Sequence, residues 1–383
     1  MIFSSDVGLE GNMKDIKLLR DEINEIDDKL LELLEKRYQV SKSVGEYKQE
    51  NALEIFVKNR EEEILDKVGS NSTRSTITRN LFASVMRQSR QIQYQDLVKV
   101  DGFNGLDFIY DNKVSEADIE TLVCLGPKGT NSCIAAKQFA NKTIVEVDNF
   151  VEVCKSVDSK KGCYGVLPIE NTTEGVVNQV YDLLVKYKLF VVDDLQLNVA
   201  NCLIGSADSI DEIKYVSSHP QALAQCRNYI STLNVKTLQV SSTSLAVAQS
   251  VGKREYAAIA NEVCADLYDL KILKKDINDE EINMTKFVLV SDIPHISQKT
   301  KGFMFAFTIP HQAGTLSTAL QMFSDYGLSL NSLVSRPVLD KPFEYRFYVE
   351  VIGDLNDIKV KALMYQLKQE LLSIQFLGSI PVK

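Results

Sequence analysis

IKLLRDEINEIDDKLLELLEKRYQVSKSVGEYK, residues 16–48, decides the fold of the first part of the chain. Its apolar residues step three, four, three, four from Ile16 through Leu19, Ile23, Ile26 and Leu30 to Leu33. The step then lands on Arg37 and continues through Val40, Val44 and Tyr47. That period describes a helical seam made to face another helix. A guanidinium at a seam position is costly unless anions meet it there. The pattern therefore predicts a helical anion site. The competing reading is a plain dimerisation helix in which Arg37 pairs with a Glu.

The long helix is expected over about Met13–Lys48, a second near Lys58–Val68 and a third from about Ser75 to Leu97, with GSNSTRST (69–76) as the break before the third. Arg37 and Lys48 stand 11 residues apart, which on a helix is roughly 16 Å along the axis and about 20° around it. Leaning toward each other, the two side chains leave a gap the size of a small dianion. Arg20 lies 17 residues before Arg37, roughly 25 Å away by the same rise, too far to serve the same pocket. The seam also needs a partner helix, so an intertwined dimer is expected. Arg60 and Glu61 open the second helix, and Ser89 and Gln93 share one face of the third.

The chain has 383 residues, 45% apolar and 25% charged, ordinary for soluble globular domains. Its net charge of -9 argues against general nucleic-acid binding. The start, MIFSSDVGLEGN, does not read as a signal peptide, and no apolar run approaches the ~20 residues that span a bilayer. Seven cysteines without a CxxC read as reduced, buried thiols of a cytoplasmic protein. Three scattered histidines (His219, His295, His311) make no metal pattern.

All eight prolines lie from Pro127 onward, marking a change from a helical part (1–100) to a mixed one, with a linker at 101–120. From Thr121, the segments TLVCLG, YGVLPIEN, KLFVVDDL, EIKYVSSHP, YAAIAN and KFVLVSD read as strands between helices, predicting a parallel-rich α/β domain over 121–296. Within it, GPKGTNSCIAA (126–136) is a Gly-rich turn opening a helix, whose N–H groups suit an anion. YGVLPIENTTEG (164–175), SSHPQALAQC (217–226), SSTSLAVA (241–248) and NMTKFVLV (283–290) place hydroxyl and amide side chains at strand ends and helix starts. Together they suit a cleft that binds carboxylates. Residues 300–383 read as βαββαβ, a small ferredoxin-like domain.

The stretch 16–48, with NREEEIL (59–65) and LFASVMRQSRQIQ (81–93), resembles the all-helical chorismate mutase family. The resemblance implies that Arg37 and a partner copy's Arg20 hold the two carboxylates of chorismate, helped by Ser89. Lys48 and Gln93 would donate to the ether oxygen, and Glu61, with Arg60 beside it, would hold the ring hydroxyl. The pericyclic shift to prephenate needs no nucleophile, only a held conformer and charge stabilisation. Val57 stands where the family usually has Asp, which implies a weaker mutase.

The α/β motifs resemble prephenate dehydratase, a fold of two α/β lobes around a cleft, similar to periplasmic small-molecule binding proteins. The resemblance implies that Thr285 helps the ring hydroxyl leave, supported by Glu170, Asn171, Ser218 and Gln225. Thr130, Ser242 and Thr243 would hold carboxylates, with Lys286 and Phe287 also at the substrate. The family's Thr-Arg-Phe is here Thr285-Lys286-Phe287.

HQAGTLSTALQMFSDYGLSLNSLVSRPVLDKPFEYRFYVEVIGD (311–354) resembles an ACT regulatory domain. This implies phenylalanine as an allosteric inhibitor, bound near Gly314, Thr315, Leu316, Ser335 and Arg336. The expectation is a cytoplasmic bifunctional isomerase and lyase without cofactor or metal, a homodimer or larger, with no nucleic-acid or membrane partner. Its alternatives are a dehydratase with an impaired mutase part and a non-enzymatic two-lobed sensor.

Overall fold

The structure is a computed structural model; it describes residues 16–100, 103, 105–106, 119–296, 299–338 and 344–382. Most of the expected linker lies outside the described residues. The chain forms two compact units, Met1–Phe103 and Asn104–Lys383.

The first unit holds α1 (Ile16–Glu50), α2 (Lys58–Ser70) and α3 (Ser75–Leu97). The apolar seam read in α1 lies in solvent within the single chain: Ile23 is 55% exposed, Leu33 63% and Tyr47 61%. The face of α1 turned to α3 is a different stripe, carrying Arg37, Tyr38, Ser41, Gly45 and Lys48. Arg37 therefore belongs to a polar inner face, a correction to its assignment to the apolar seam. A Cβ on Gly45 would stand 2.8 Å from Gln93 Cγ, so glycine permits the close approach of the two helices. The inner side of α3 is equally polar, burying Arg87, Ser89, Arg90 and Gln93 beside Met86 and Tyr94.

The second unit contains β1 (Thr121–Leu125), β2 (Thr143–Val147), β3 (Cys163–Asn171), β4 (Gly175–Val176) and β5 (Phe190–Asn198). A second lobe follows, with β6 (Cys202–Gly205), β7 (Tyr215–Ser218), β8 (Lys236–Gln239), β9 (Tyr256–Ala260) and β10 (Lys271–Lys274). The chain returns to the first lobe through β11 (Met284–Ser291) and ends in β12 (Thr300–Ile309), β13 (Ser329–Pro337), β14 (Tyr345–Ile352) and β15 (Ser373–Pro381).

The second lobe is a five-stranded sheet ordered β10-β6-β9-β7-β8. The other sheet runs β13-β14-β12-β15-β5-β11-β3-β1-β2, with β4 paired to β3. The expectation of a parallel-rich region is corrected. β11 runs antiparallel to both β3 and β5, and β6 runs antiparallel to β9 and β10, while β1 and β7 keep parallel neighbours. β6 and β11 each begin where the chain crosses between lobes, and a crossing strand enters its sheet from the opposite end.

The C-terminal segment has the expected βαββαβ order, with helices Thr315–Asp325 and Ile358–Glu370, and its strands lie side by side as β13-β14-β12-β15. That is ferredoxin-like topology. It is not a detached body. Met304, Ala306, Val334, Tyr348, Leu377 and Ile380 share one core with Val153, Leu167, Val180, Tyr181 and Val288 of the first lobe. The sheet connection is a single pairing, Gly378 with Val191. At Gly378, φ is +127° and a Cβ would stand 2.0 Å from Val191 O, so only glycine lets β15 meet β5.

Candidate active sites

In the helical unit, polar side chains of α1 and α3 meet each other. The Arg37 guanidinium donates to Ser89 Oγ and, at 3.5 Å, to Val85 O. Ser89 in turn donates to Val85 O at 2.8 Å. Gln93 Nε2 donates to Ser41 O and Ser41 Oγ, both at 2.8 Å, while its buried Oε1 has no partner among the described residues. Lys48 Nζ donates to Ile55 O at 2.7 Å. Burial lowers the Lys48 pKa below its ordinary 10.5; Glu61 opposes the shift and Arg90 adds to it.

Glu61 reaches this group from α2 and is ion-paired with Arg90, whose guanidinium lies 4.9 Å above the Phe56 ring. Sequence reasoning missed Arg90 and Ser41. Arg90 carries a signal in hindsight, since it sits between Ser89 and Gln93 on a buried face. Two expected members stand apart. Arg20 is on the exposed stretch of α1, and Arg60 turns outward to Glu63 at 2.8 Å. Val57 precedes α2 as its N-cap and supplies no side-chain cap, where Asp would do so.

In the second unit, a hollow of about 1050 Å³ opens where the two lobes meet. Of the expected residues, Thr130, Asn171, Gln225, Ser242, Thr243, Thr285 and Phe287 line it. β11 alternates, so Thr285 and Phe287 face the hollow while Lys286 faces the other side. There Lys286 pairs with Glu350 at 2.7 Å, which corrects its expected contact with substrate. Glu170 pairs in register with Lys286 on β3, on that same far side, and does not line the hollow, so its support of Thr285 is likewise corrected. Ser218 is fully buried and donates to Ile259 O at 2.6 Å; its role is to lock β7 to β9, and its neighbour His219 lines the hollow instead.

Thr285 sits at one end of a directed hydrogen-bond circuit. Backbone N–H groups of Thr173 and Glu174 donate to Asn171 Oδ1 at 2.9 and 3.0 Å, which fixes the amide's orientation. Asn171 Nδ2 therefore donates, to Thr285 Oγ1 at 2.8 Å and to Asn283 Oδ1 at 2.9 Å. Asn283 Nδ2 donates to Gln225 Oε1 at 3.1 Å, and Gln225 Nε2 donates to Thr173 Oγ1 at 3.2 Å. Thr173 closes the ring by donating to Asn171 Oδ1 at 2.6 Å. With Oγ1 engaged as acceptor, the Thr285 hydrogen remains for an acceptor in the hollow. Gln225 belongs to the second lobe, so the circuit also ties the lobes together. Asn283 and Thr173 were missed in the sequence, though both lie within two residues of a quoted site residue.

Across the hollow, Thr130 Oγ1 turns back to Leu125 O at 3.0 Å and leaves the start of helix Asn131–Phe139 without a side-chain cap. Ser242 caps helix Thr243–Ser250 by accepting from Leu245 N at 3.1 Å.

In the C-terminal part, Gly314 has φ +88° at the start of helix Thr315–Asp325, and an added Cβ there would meet nothing within 4 Å. Thr315 Oγ1 closes the loop onto Pro310 O and Gln312 O at 2.8 and 2.9 Å. Leu316 is half-buried beside it and Ser335 is exposed on β13. Arg336 is turned the other way by strand alternation and pairs with Asp182 at 2.8 Å, a correction to its expected place at the regulatory ligand. Among the described residues, no helix is long and apolar enough to cross a membrane.

A helical unit with a cationic inner face and a two-lobed unit with a threonine in its cleft define an enzyme with two active sites. Prephenate dehydratase matches residues 122–294 and chorismate mutase type II residues 19–94. The bifunctional chorismate mutase/prephenate dehydratase of Aquifex aeolicus is 31% identical over 381 residues, spanning 96% of this chain and 98% of that one. The solved prephenate dehydratase of Staphylococcus aureus is 30% identical with a TM-score of 0.61, covering 68% of this chain and 99% of its own. That of Arthrobacter aurescens, solved in complex with L-Phe, is 25% identical with a TM-score of 0.63, covering 68% and 90%. The chain belongs to the bifunctional chorismate mutase/prephenate dehydratase family. It converts chorismate to prephenate and prephenate to phenylpyruvate, on the route to phenylalanine.

Proposed function

We propose that chorismate is held on the inner face of α1 and α3, with Arg37 and, once its hydroxyl turns from Val85 O, Ser89 on one carboxylate and Arg20 of a second copy on the other. Lys48 and Gln93, once its amide turns from Ser41, donate to the breaking ether oxygen, and Glu61 takes the ring hydroxyl. Arg60 stays at the rim. The exposed apolar seam of α1 supports a homodimer, because a contiguous stripe of that length calls for a covering helix. A mixing experiment tests this. Arg20→Ala and Arg37→Ala are each expected to be inactive as mutases, whereas reassembly of the two together restores about a quarter of the wild-type sites in a symmetric dimer. No recovery on mixing rejects the shared site.

In the cleft, Thr285 protonates or hydrogen-bonds the departing hydroxyl of prephenate while carbon dioxide leaves from the opposite side of the ring. The observation that carries this is the Asn171 bond, which leaves the Thr285 hydrogen to donate. Ser242, Thr243, the open start of helix Asn131–Phe139 and, once its hydroxyl turns from Leu125 O, Thr130 hold the carboxylates, and Phe287 packs on the ring. Aromatisation drives the step, so modest donor strength suffices in a water-poor cleft.

The C-terminal part is a phenylalanine sensor. The ferredoxin-like order, the Gly314 loop with room beside it, and the L-Phe complex of the Arthrobacter enzyme support this. Phenylalanine is expected to inhibit the dehydratase and Gly314→Val to abolish the response. The enzyme works in the cytoplasm, where its seven free, buried cysteines stay reduced.

A further inference from the structure

Lys286 follows Thr285 on β11 and projects through the sheet into a buried charge cluster. Its Nζ lies 2.7 Å from both carboxylate oxygens of Glu350 on β14 and 3.6 Å from Asp194 on β5. Asn331 of β13 donates to Glu350 Oε1 at 3.0 Å, and Lys301 of β12 donates to Asp194 at 2.5 Å. Lys286 and Glu350 are each 8% exposed. The cluster joins the strand that carries Thr285 to three strands of the C-terminal part.

A buried ion pair is weak evidence for stability, because apolar residues of similar size stabilise as well or better. What it supplies here is position. Two short bonds from one ammonium to a bidentate carboxylate fix the side chain, and with it the rotation of β11 about its axis. Thr285 is the next residue, so any rotation that moves Lys286 moves the Thr285 hydroxyl in the cleft. We propose that Lys286 and Glu350 are positioning residues for the dehydratase, so that the C-terminal part sets the turnover of Thr285 through this one pair. A ligand that shifts β13 or β14 reaches the cleft by the same route. The proposal rests on the reading of Thr285 as the group at the departing hydroxyl.

The test uses the full chain, supplied with prephenate. Glu350→Gln and Lys286→Met are expected to lower dehydratase kcat by about 10- to 100-fold, the scale of a sub-ångström to 1 Å misplacement. KM stays within about twofold, because neither side chain touches substrate, and mutase activity is unchanged. Lys286→Arg, which can still grip Glu350, recovers most of the lost turnover. Leu377→Ala, in the adjoining core, controls for loss of stability. The proposal is overturned if kcat is unchanged in both variants, or falls no further than in Leu377→Ala. A rise in KM alone for Lys286→Met overturns it as well, by returning Lys286 to the substrate. Thr285→Val separates the two readings: if that variant stays active, the reading of Thr285 fails. If it is inactive while Lys286→Met and Glu350→Gln are fully active, only the positioning role fails.

Discussion

Asn171 donates one amide hydrogen to Thr285 Oγ1 at 2.8 Å and the other to Asn283 at 2.9 Å. The direction of that bond decides what Thr285 can do. Asn171→Asp keeps the shape but replaces the donor with a second acceptor, so Thr285 turns its hydrogen onto the carboxylate. Dehydratase kcat is expected to fall by about 10²-fold, the usual scale for one misdirected hydrogen bond at the reacting centre. Steady-state assays with prephenate read this directly, and a variant as active as wild type excludes a directed hydroxyl.

Lys48 gives the mutase an alkaline limb. Burial lowers its pKa below the ordinary 10.5, so the ammonium loses its proton at a lower pH than an exposed lysine. The cation is the donor, so mutase activity is full below that pKa and is lost as pH rises through it. A kcat/KM profile against chorismate that stays flat past the pKa of a free lysine contradicts the role given to Lys48.

Arg90 acts on both members of the same pocket. It holds Glu61 and also lowers the Lys48 pKa. Arg90→Met therefore has two expected results. Mutase kcat falls about tenfold or more, as when a charged hydrogen-bond partner is removed, and the alkaline limb moves to higher pH because the neighbouring positive charge is gone. A limb that moves down, or not at all, rejects the arrangement.

The sequence carried the helical unit nearly whole: α3 runs from Ser75 to Leu97, as its spacing predicts. Periodicity reports which residues share a stripe, not which neighbour covers it: by spacing Arg37 falls on the apolar seam, while its side chain joins the polar stripe beside it. β8 escaped notice because all four of its residues are exposed and it lacks an apolar signature. β2, a half-exposed edge strand, is likewise absent from the strands read in the sequence. In the cleft, resemblance supplied Thr285, Asn171 and Gln225 but carried Lys286 with them as a motif neighbour. The period of two along a strand separates Lys286 from Thr285, and that argument was available from the residues alone. The same period of two separates Arg336 from Ser335 on β13.

At Gly378 the backbones of β15 and β5 meet with no room for a side chain. Gly378→Ala drives a methyl into Val191 O and demands a left-handed backbone from alanine. The expected loss is about 2 kcal/mol or more, read as an earlier urea midpoint for dehydratase activity. The helical unit is a separate compact body, so mutase activity is expected to persist at urea concentrations that abolish the dehydratase. Simultaneous loss of both activities contradicts the independence of the two units.

The most direct measurement of two active sites on one chain is to give chorismate to Thr285→Val and follow both products. Chorismate is expected to disappear at the wild-type rate while prephenate accumulates and phenylpyruvate does not form. Phenylpyruvate at the wild-type rate, or chorismate left unconsumed, would contradict the account.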